Sequence, residues 1–333
     1  MRKILVSILV PICNVEKFLD KCLNSLINQT LKEIEIICIN DGSKDRSLEI
    51  IKKYAELDKR IVIIDKPNSG YGDSMNKGLA IAKGEYIGII ESDDFADKNM
   101  FSDLVALAEK YNADIVKSNF NFYWENPEKC IYCNNLCTEN ISDDITKNKN
   151  RIFAGMPAIW SAIYKKSWLN KNNIDFLSTP GASYQDTSFN FLAIAFADKV
   201  IVTPSAYLNY RQDNANSSVK NASWEKVIAL HKEWDRVKKY IENTDLKQYI
   251  SWYNTLKFNG YIWNYCRISS VDRAKYFKIL RSEFKNLSCE NMKIGYISKF
   301  CKYGGLFAIK YNMKFLLDFL VYLKKYKELI FKS

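Results

Sequence analysis

The sequence predicts an α/β fold, with a mostly parallel sheet flanked by helices and a helical C-terminal extension. Three observations support this prediction. Short, nearly all-apolar segments alternate with helical patterns through the first 100 residues, polar or acidic residues follow each apolar segment, and the pattern from Ser223 onward is helical. Apolar runs without alternation are typical of parallel strands that helices cover on both faces.

The first part of the chain is predicted to alternate strands and helices. Ile4–Ile12 forms the first strand, and Asn14 is expected as the N-cap of the amphipathic helix that follows it. The next strands are predicted over Ile34–Ile39, Ile61–Ile64 and Tyr86–Ile90, with helices between them through Leu48–Ala55 and Ser74–Ala82. Open sheets of this kind bind ligands at the carboxyl ends of their strands.

The following part is less regular. Helices are predicted over Asn99–Tyr111 and Asp186–Ala197, and strands over Ile115–Phe122, Ile159–Tyr164 and Val200–Tyr210. Between these elements, Glu125–Asn150 is polar, rich in Asn and weakly periodic. A surface insertion is expected there.

Composition and charge exclude some classes of protein. With 47% hydrophobic and 26% charged residues, the chain has enough apolar material to fold, which excludes a disordered or low-complexity protein. The net charge of +11 is unevenly placed, because residues 1–218 hold 26 basic and 28 acidic side chains and residues 219–333 hold 23 and 10. Only the last third is therefore predicted to favour an anionic partner.

The nine cysteines are not arranged as in extracellular proteins. Cys13, Cys22 and Cys38 lie in apolar runs, which is typical of reduced thiols and predicts a cytoplasmic protein. Cys130, Cys133 and Cys137 form the only cluster, and the sole histidine, His231, is far from it in sequence. Without a fourth ligand, no metal site is expected at this cluster.

Polar residues at two strand ends suggest a ligand site. Asp41, followed by Gly42 and Ser43, could accept a hydrogen bond from a nucleobase or ribose, or merely cap the next helix. The two glycines of Asn68–Gly72 permit close approach of the backbone to a ligand, although Asn-Ser-Gly is also ordinary turn chemistry.

The adjacent Asp93 and Asp94 follow a buried strand directly. Two such carboxylates repel each other unless a cation or a row of donors compensates them. A divalent metal, Mg²⁺ or Mn²⁺, would do so and would also hold a diphosphate. The alternative is that these two acids cap the helix that is predicted to begin at Asn99. Their position at a strand end favours the metal.

Six segments place these residues in a fixed order. They are Pro11-x-x-Asn14-x-Glu16-x-Phe18-Leu19, Gln29-Thr30, Asn40-Asp41-Gly42-Ser43-x-Asp45, Asn68–Gly78, Lys83-Gly84-Glu85-Tyr86-Ile87 and Glu91-Ser92-Asp93-Asp94. Together they resemble the nucleotide-sugar half of family 2 glycosyltransferases, which have the Rossmann-like GT-A fold. The resemblance continues more thinly through Gly181–Thr187 and Tyr210–Asn214. It implies a catalytic domain over 1–220 and a helical, basic region over 221–333.

The resemblance implies inverting transfer of a sugar from a nucleotide diphosphate, expected to be a UDP-sugar, to an acceptor hydroxyl on a glycan or lipid-linked oligosaccharide. By position, the residues that would bind the donor nucleotide are Pro11, Asn14, Asp41, Asn68, Gly70, Asp93 and Arg211. Asp94, with Asp93, would bind the divalent cation, Mn²⁺ or Mg²⁺. Asp186 would be the general base, although a helix N-cap is the other interpretation of this residue.

Three positions depart from the family pattern. Glu91 stands where Asp is frequent, and Gln185 stands before the expected base where Glu is frequent. Ser74-Met75-Asn76 lacks the arginine that many members carry before this asparagine. Arg211 or Lys66 is expected to supply that charge near the phosphates.

The C-terminal segment 292–333 contains nine Lys and two acids, with apolar residues at helical spacing from Phe315 to Tyr326. One interpretation is an amphipathic helix on the anionic inner face of the cell membrane, and the other is a helix packed on the protein with a solvated Lys face. No nucleic acid partner is expected. An inactive adaptor of the same fold, binding a membrane or nucleic acid through the basic region, is the alternative to a bacterial polysaccharide enzyme.

Overall fold

A computed structural model describes residues 3–136, 145–215, 217, 223–293 and 304–330, with side chains omitted at 145–146 and 324–330. The chain forms two compact units, Met1–Lys220 and Asn221–Ser333. The described part of the first unit contains the sheet, and the described part of the second unit is helical.

The strands form one sheet in the order β3-β2-β1-β4-β8-β6-β9-β5, with β7 paired to β6. Their bounds are β1 Val6–Ile12, β2 Ile34–Asp41, β3 Ile61–Lys66, β4 Tyr86–Ile89, β5 Phe95–Ala96, β6 Ile115–Trp124, β7 Lys129–Cys133, β8 Ala162–Lys165 and β9 Val200–Arg211. Strands β1 to β4 pair in parallel, whereas β8 runs antiparallel to both β4 and β6. The parallel part of the sheet is the part that the apolar runs predict.

Helices flank this sheet and build the second unit. Those of the first unit are α1 Glu16–Ile27, α2 Ser47–Leu57, α3 Tyr71–Ile81, α4 Met100–Tyr111, α5 Ile145–Ala154, α6 Lys166–Lys171 and α7 Gln185–Phe196. Those of the second unit are α8 Trp224–Asn243, α9 Ile250–Arg267, α10 Ser270–Phe284, α11 Leu306–Lys310 and α12 Lys314–Ile330. The predicted α/β class with a helical C-terminal part is confirmed.

Burial explains why the first strands are apolar throughout. Every residue of β1 and β2 is buried, so both faces of the central strands are covered. Ser7 is the polar exception in β1, and its hydroxyl donates to the buried Glu35 carboxylate at 2.5 Å. A buried polar pair of this kind retains its hydrogen bonds and therefore avoids the cost of desolvation without a partner.

One predicted detail is wrong, and another is confirmed only in part. Helix α1 has Val15 as its N-cap residue, without a side-chain cap, and the Asn14 carboxamide accepts a hydrogen bond from Lys44 N instead. The surface insertion expected over 125–150 contains β7, whose residues are mostly exposed, and the start of α5. Asn148 in that helix is fully buried and donates to Val200 O at 2.8 Å.

Two of the three cysteines that lie in apolar runs are buried. Cys22 and Cys38 are buried and Cys13 is exposed. Cys130 is exposed on β7, Cys133 is half-buried, and Cys137 lies outside the described residues.

The core of the second unit is aromatic. Tyr261, Tyr265 and Tyr276 are fully buried, and the Tyr261 hydroxyl lies 2.8 Å from His231 Nδ1. The sole histidine therefore has a structural partner in this core.

Over the described residues, no helix is both long enough and apolar enough to cross a membrane.

Candidate functional site

The register of the parallel strands brings four loops to one edge of the sheet. Ile12 of β1 pairs with Asn40 of β2, Asp41 pairs with Lys66 of β3, and Leu9 pairs with Ile89 of β4. The segments that follow these strands therefore lie beside one another. They contain most of the residues that the sequence singles out.

Asn14 joins the first two loops. It adopts a left-handed backbone conformation, with φ of 54°. Its backbone N–H donates to Ser43 Oγ at 3.1 Å, and its Oδ1 accepts from Lys44 N at 2.8 Å. Pro11 lies two residues before this loop begins at Cys13, buried within β1. The loop after β1 is thus held in place by the loop after β2.

Asp41 organises the glycine segment. Its carboxylate accepts hydrogen bonds from Ser69 N at 2.8 Å and Gly70 N at 3.0 Å, and Lys66 Nζ donates to it. Asn68 completes the turn by donating from Nδ2 to Asp41 O at 2.9 Å. Asp41 does not cap α2, whose N-cap residue is Arg46.

The two glycines approach protein backbone closely. Gly70 has φ of 96°, and a Cβ there would lie 2.6 Å from Thr179 O. A Cβ at Gly72 would lie 2.2 Å from Leu177 O. Since such distances are impossible for a side chain, glycine is required at both positions. The glycine segment is docked on the loop 177–181 that precedes α7, a contact that sequence spacing did not indicate.

Lys66 is engaged within this same cluster. Its Nζ contacts Asp41 and Ser69 and lies 3.2 Å from Asp73 Oδ2, and its side chain is only 8% exposed. Charge from Lys66 is therefore used to hold the turn, so the expectation that it serves the phosphates remains a prediction.

Asp93 and Asp94 each have an identified partner from β9 or the residues that follow it. Asn214 Nδ2 donates to Asp93 Oδ2 at 2.8 Å, and Arg211 N donates to Asp94 Oδ1 at 2.8 Å. The other oxygen of Asp94, Oδ2, is buried and has no hydrogen-bond partner in the described part of the chain. Burial, followed by the Asp93 charge, raises the pKa of Asp94 well above its usual range. An uncompensated carboxylate is costly here, and a cation would relieve the cost.

Protein atoms alone would supply only some of the ligands that a cation needs at this position. Within the described ranges, no group of three or more His, Cys, Asp or Glu residues could hold a metal ion. Mg²⁺ is commonly bound through one or two carboxylates together with substrate phosphates and water. The unpaired Oδ2 of Asp94, with Asp93 beside it, fits that mode of binding.

Arg211 lies behind the two aspartates. Its side chain is 1% exposed, and its Nε donates to Asp93 O at 3.0 Å. One terminal nitrogen pairs with Glu125 at 2.8 Å and Asp213 at 3.3 Å, and the guanidinium carbon lies 4.7 Å from the centre of the Phe18 ring. The guanidinium therefore holds protein groups together, and its contact with a diphosphate remains a prediction.

Replacing Arg211 with Met is expected to lower the free energy of unfolding by about 2–3 kcal/mol, because Glu125 and Asp213 lose their buried cationic partner. Thermal or urea unfolding measures this change. Arg46→Met is the matched control, since Arg46 is 75% exposed in its pair with Glu16 and is expected to change stability by less than about 1 kcal/mol. Equal effects of the two substitutions would contradict the structural role of Arg211.

Glu91, which stands where Asp is frequent in the family, forms a hydrogen bond with Tyr71. The Tyr71 hydroxyl donates to Glu91 Oε1 at 2.7 Å. Burial raises the pKa of Glu91 to about 8, with the Tyr71 hydrogen bond lowering it and the charge of Asp93 raising it. At neutral pH this carboxyl is therefore largely protonated, which reduces repulsion beside Asp93.

Asp186 lies in the first turn of α7. The N-cap residue of this helix is Tyr184, with φ of 66°, so the N-cap interpretation of Asp186 is wrong. Burial raises the pKa of Asp186 to about 6, whereas its own backbone N–H, that of Thr187 and the charge of Lys117 lower it. A carboxyl with such a pKa can accept a proton near neutral pH.

The hydrogen bonds of Gln185 explain why an amide stands here, where Glu is frequent in the family. The side chain is 2% exposed, and its Nε2 donates to Thr179 Oγ1 at 2.8 Å and to Gly181 O at 3.2 Å. Its Oε1 accepts from Ser183 N. A glutamate carboxylate could not donate to a carbonyl, so the amide suits the loop that receives the glycine segment.

Several residues around the site were not predicted from sequence. Lys117 on β6 is fully buried, and its Nζ donates to Ala158 O; burial lowers its pKa to about 7. A lysine inside an apolar strand was a visible signal. Asn214 lay in a quoted motif without an assigned role, while Tyr71 and Glu125 gave no signal of their own.

A cavity of about 380 Å³ opens at this edge. Its lining residues come from the loop after β1, the start of α1, the loop after β2 and the segment after β9, and are Cys13, Asn14, Val15, Glu16, Lys17, Phe18, Asp45 and Asn214. The volume is within the range of small-molecule sites. Asn214 connects the cavity to Asp93.

Residues 7–171 match the family model described as glycosyl transferase family 2. A curated relative, the uncharacterized glycosyltransferase EpsJ of Bacillus subtilis (strain 168), is 34% identical over 219 residues, which are 64% of this chain. The chain spans 62% of the length of EpsJ. The match to the family model covers Asp41, Asp93 and Asp94 but ends before Asp186.

Solved structures share the fold at low sequence identity. The S. aureus TarS 1–349 structure in complex with UDP-GlcNAc has a TM-score of 0.76 and 17% identity, covering 97% of this chain and 92% of that chain. The mannosyltransferase PcManGT from Pyrobaculum calidifontis, in complex with GDP-Man and Mn²⁺, has a TM-score of 0.52 and 12% identity, covering 96% and 86%. With its GT-A fold and the family model that it matches, the domain over residues 7–171 belongs to glycosyl transferase family 2.

Proposed function

We propose that this protein transfers a sugar, with inversion, from a UDP-sugar to an acceptor hydroxyl on a glycan or lipid-linked oligosaccharide. The observation that carries the proposal is the buried Oδ2 of Asp94, beside Asp93 after β4, which has no hydrogen-bond partner among the described residues. A cation beside this carboxyl would offset the cost of its ionised form and could also bind a diphosphate. UDP-GlcNAc in the TarS neighbour supports a uridine donor.

The donor nucleotide is proposed to lie along the edge formed by the loops after β1, β2 and β3. Asn14 lines the cavity, and Pro11 fixes the strand from which this loop departs. Asp41, Asn68 and Gly70, which hydrogen bonds hold together, are proposed to face the base and ribose. Asp93, held by Asn214, would contact the ribose.

Asp94 and Asp93 are proposed to hold a divalent cation, Mn²⁺ or Mg²⁺. When bound, such an ion acts as a Lewis acid that stabilises the charge of the departing diphosphate. The protein's part is to fix the Asp94 carboxylate, and Arg211 does so through its backbone N–H. The Arg211 guanidinium, whose Nε donates to Asp93 O, adds positive charge beside the two aspartates, and we propose that this charge also favours binding of the diphosphate.

Asp186 is proposed as the general base. The acceptor hydroxyl would lose its proton to this carboxylate as its oxygen bonds to the anomeric carbon, while the bond to the diphosphate breaks. The first turn of α7 stabilises the ionised carboxylate, because backbone N–H groups point toward it. Lys117 stabilises the same charge from the strand beneath.

The acceptor and the cellular setting belong to the same proposal. EpsJ is identified only as a glycosyltransferase, so this relative does not narrow the choice of acceptor. A bacterial surface polysaccharide made at the cytoplasmic face of the membrane is the setting that the sequence resemblance implies. The inactive adaptor remains the alternative that a binding and turnover experiment separates from it.

Thermal unfolding with UDP, GDP or CDP, each with and without Mn²⁺, tests the proposal. At saturating ligand, UDP with Mn²⁺ is expected to raise the unfolding temperature by about 5 °C, and neither component alone is expected to match it. Hydrolysis or transfer of a UDP-sugar in the same sample then separates an enzyme from an inactive adaptor. No shift with any nucleotide would refute donor binding.

A further inference from the structure

Helix α12 has two apolar faces. Leu317 and Val321 are each 2% exposed and pack inside the second unit. Phe315 and Phe319 are 70% and 55% exposed, and Leu323 is 36% exposed. Positions 315, 319 and 323 are four residues apart and therefore share one side of the helix. One face packs on the protein, so the other needs a separate explanation.

Exposed aromatic residues also occur just before α12. Phe307 and Tyr311 are 50% and 57% exposed, and their ring centres lie 4.6 Å apart. Lys310 is exposed, and its Nζ lies 5.6 Å from the Tyr311 ring. Contiguous exposed apolar surface of this kind typically marks an interaction site.

The C-terminal segment that includes this face has an excess of basic residues. Asp318 is bonded by Lys314 Nζ at 2.5 Å and the Tyr265 hydroxyl at 2.7 Å, so its negative charge is compensated. The segment 292–333 contains nine Lys against two acids. An exposed aromatic face in a segment with this excess of lysine fits an anionic partner.

We propose that the exposed face of α12, formed by Phe315, Phe319 and Leu323, binds the headgroup region of an anionic membrane. Helix α12 has 17 residues and is not a candidate to cross a membrane, whereas an interfacial helix needs only one apolar face with basic flanks. A second copy of the chain is a poorer occupant, since residues 219–333 have 23 basic and 10 acidic side chains and like charges repel. The proposal does not depend on sugar transfer.

Vesicle flotation of the full chain tests the surface. Vesicles of phosphatidylcholine with a minor share of phosphatidylglycerol are compared with vesicles of phosphatidylcholine alone, at low and high salt. The wild type is expected to bind the anionic vesicles and to be released by salt. The double variant Phe315→Ser/Phe319→Ser is expected to bind about tenfold more weakly.

The control is Val271→Ser, because Val271 is 77% exposed on α10 in the same unit and lies outside the proposed face. It is expected to float like the wild type. An unchanged unfolding temperature shows that the double variant is folded. Equal flotation of wild type and double variant, or no flotation of the wild type, would overturn the proposal. A wild-type dimer that the double variant abolishes without lipid would assign the face to a second copy instead.

Discussion

Replacing Asp94 with Asn is expected to lower the transfer rate by about 10³-fold, because stabilisation of the leaving diphosphate is worth several kcal/mol. The substitution keeps the acceptor for Arg211 N and turns the unpaired Oδ2 into an amide that binds cations poorly. Initial rates at saturating UDP-sugar and Mn²⁺ measure the loss.

Stability distinguishes this loss from unfolding. The pKa of Asp94 is raised by burial, so its ionised form destabilises the fold at neutral pH in the absence of a cation. The Asn variant is therefore expected to unfold at the same or a higher temperature without metal. Asp97→Asn is the matched control, because Asp97 is exposed three residues later and is expected to leave the rate unchanged. A near-normal rate for Asp94→Asn would exclude Asp94 as the cation ligand.

The first four strands and the strand-end carboxylates could be predicted because the signals are local. An apolar run such as Ile34–Ile39 indicates a buried strand by itself, and the residues directly after a parallel strand share one sheet edge. The carboxyl-end position of Asp41, Asp93 and Asp94 therefore followed from the sequence. Their states did not, since these depend on partners elsewhere in the chain.

Those partners are far apart in sequence. Arg211 N reaches Asp94 across 117 residues, and Asn214 reaches Asp93 across 121. The glycine at 70 is required by Thr179 O, a backbone atom that no motif identifies. Hydrogen bonds over such separations depend on the packing of β9 and α7, which periodicity cannot specify. For this reason the resemblance could suggest Arg211 as a cation near the diphosphate, but it could not indicate the ion pairs of its guanidinium with Glu125 and Asp213.

The C-terminal helix illustrates a different limit. Periodicity indicated one apolar stripe from Phe315 to Tyr326, with membrane contact and protein packing as alternatives. The structure separates the apolar residues of this helix into a buried face at Leu317 and Val321 and an exposed face at Phe315 and Phe319. The buried pair fits packing on the protein, and the exposed pair fits contact with a membrane. The two alternatives are compatible because apolar side chains surround more of the helix than a single stripe.

Replacing Asp186 with Asn is expected to lower the rate by about 10²–10⁴-fold, which is the usual contribution of proton transfer by a positioned side chain. The amide is close in size to the carboxylate and can remain in the first turn of α7, so donor binding is expected to persist. Rates at saturating donor, with UDP affinity measured separately by thermal unfolding, distinguish lost proton transfer from lost binding. Asp198→Asn, an exposed position just beyond the same helix, is the matched control and is expected to keep the wild-type rate.

The pH dependence gives a second, independent check on Asp186. Burial raises its pKa to about 6, and only the ionised form can accept a proton. The wild-type rate is therefore expected to rise as pH increases toward about 6 and to level off above it, falling about tenfold per pH unit on the acid side. The Asn variant has no carboxyl to titrate, so its residual rate is expected to lack this acid limb. If the variant keeps both a near-normal rate and the same limb, another group removes the proton and Asp186 only shapes the start of α7.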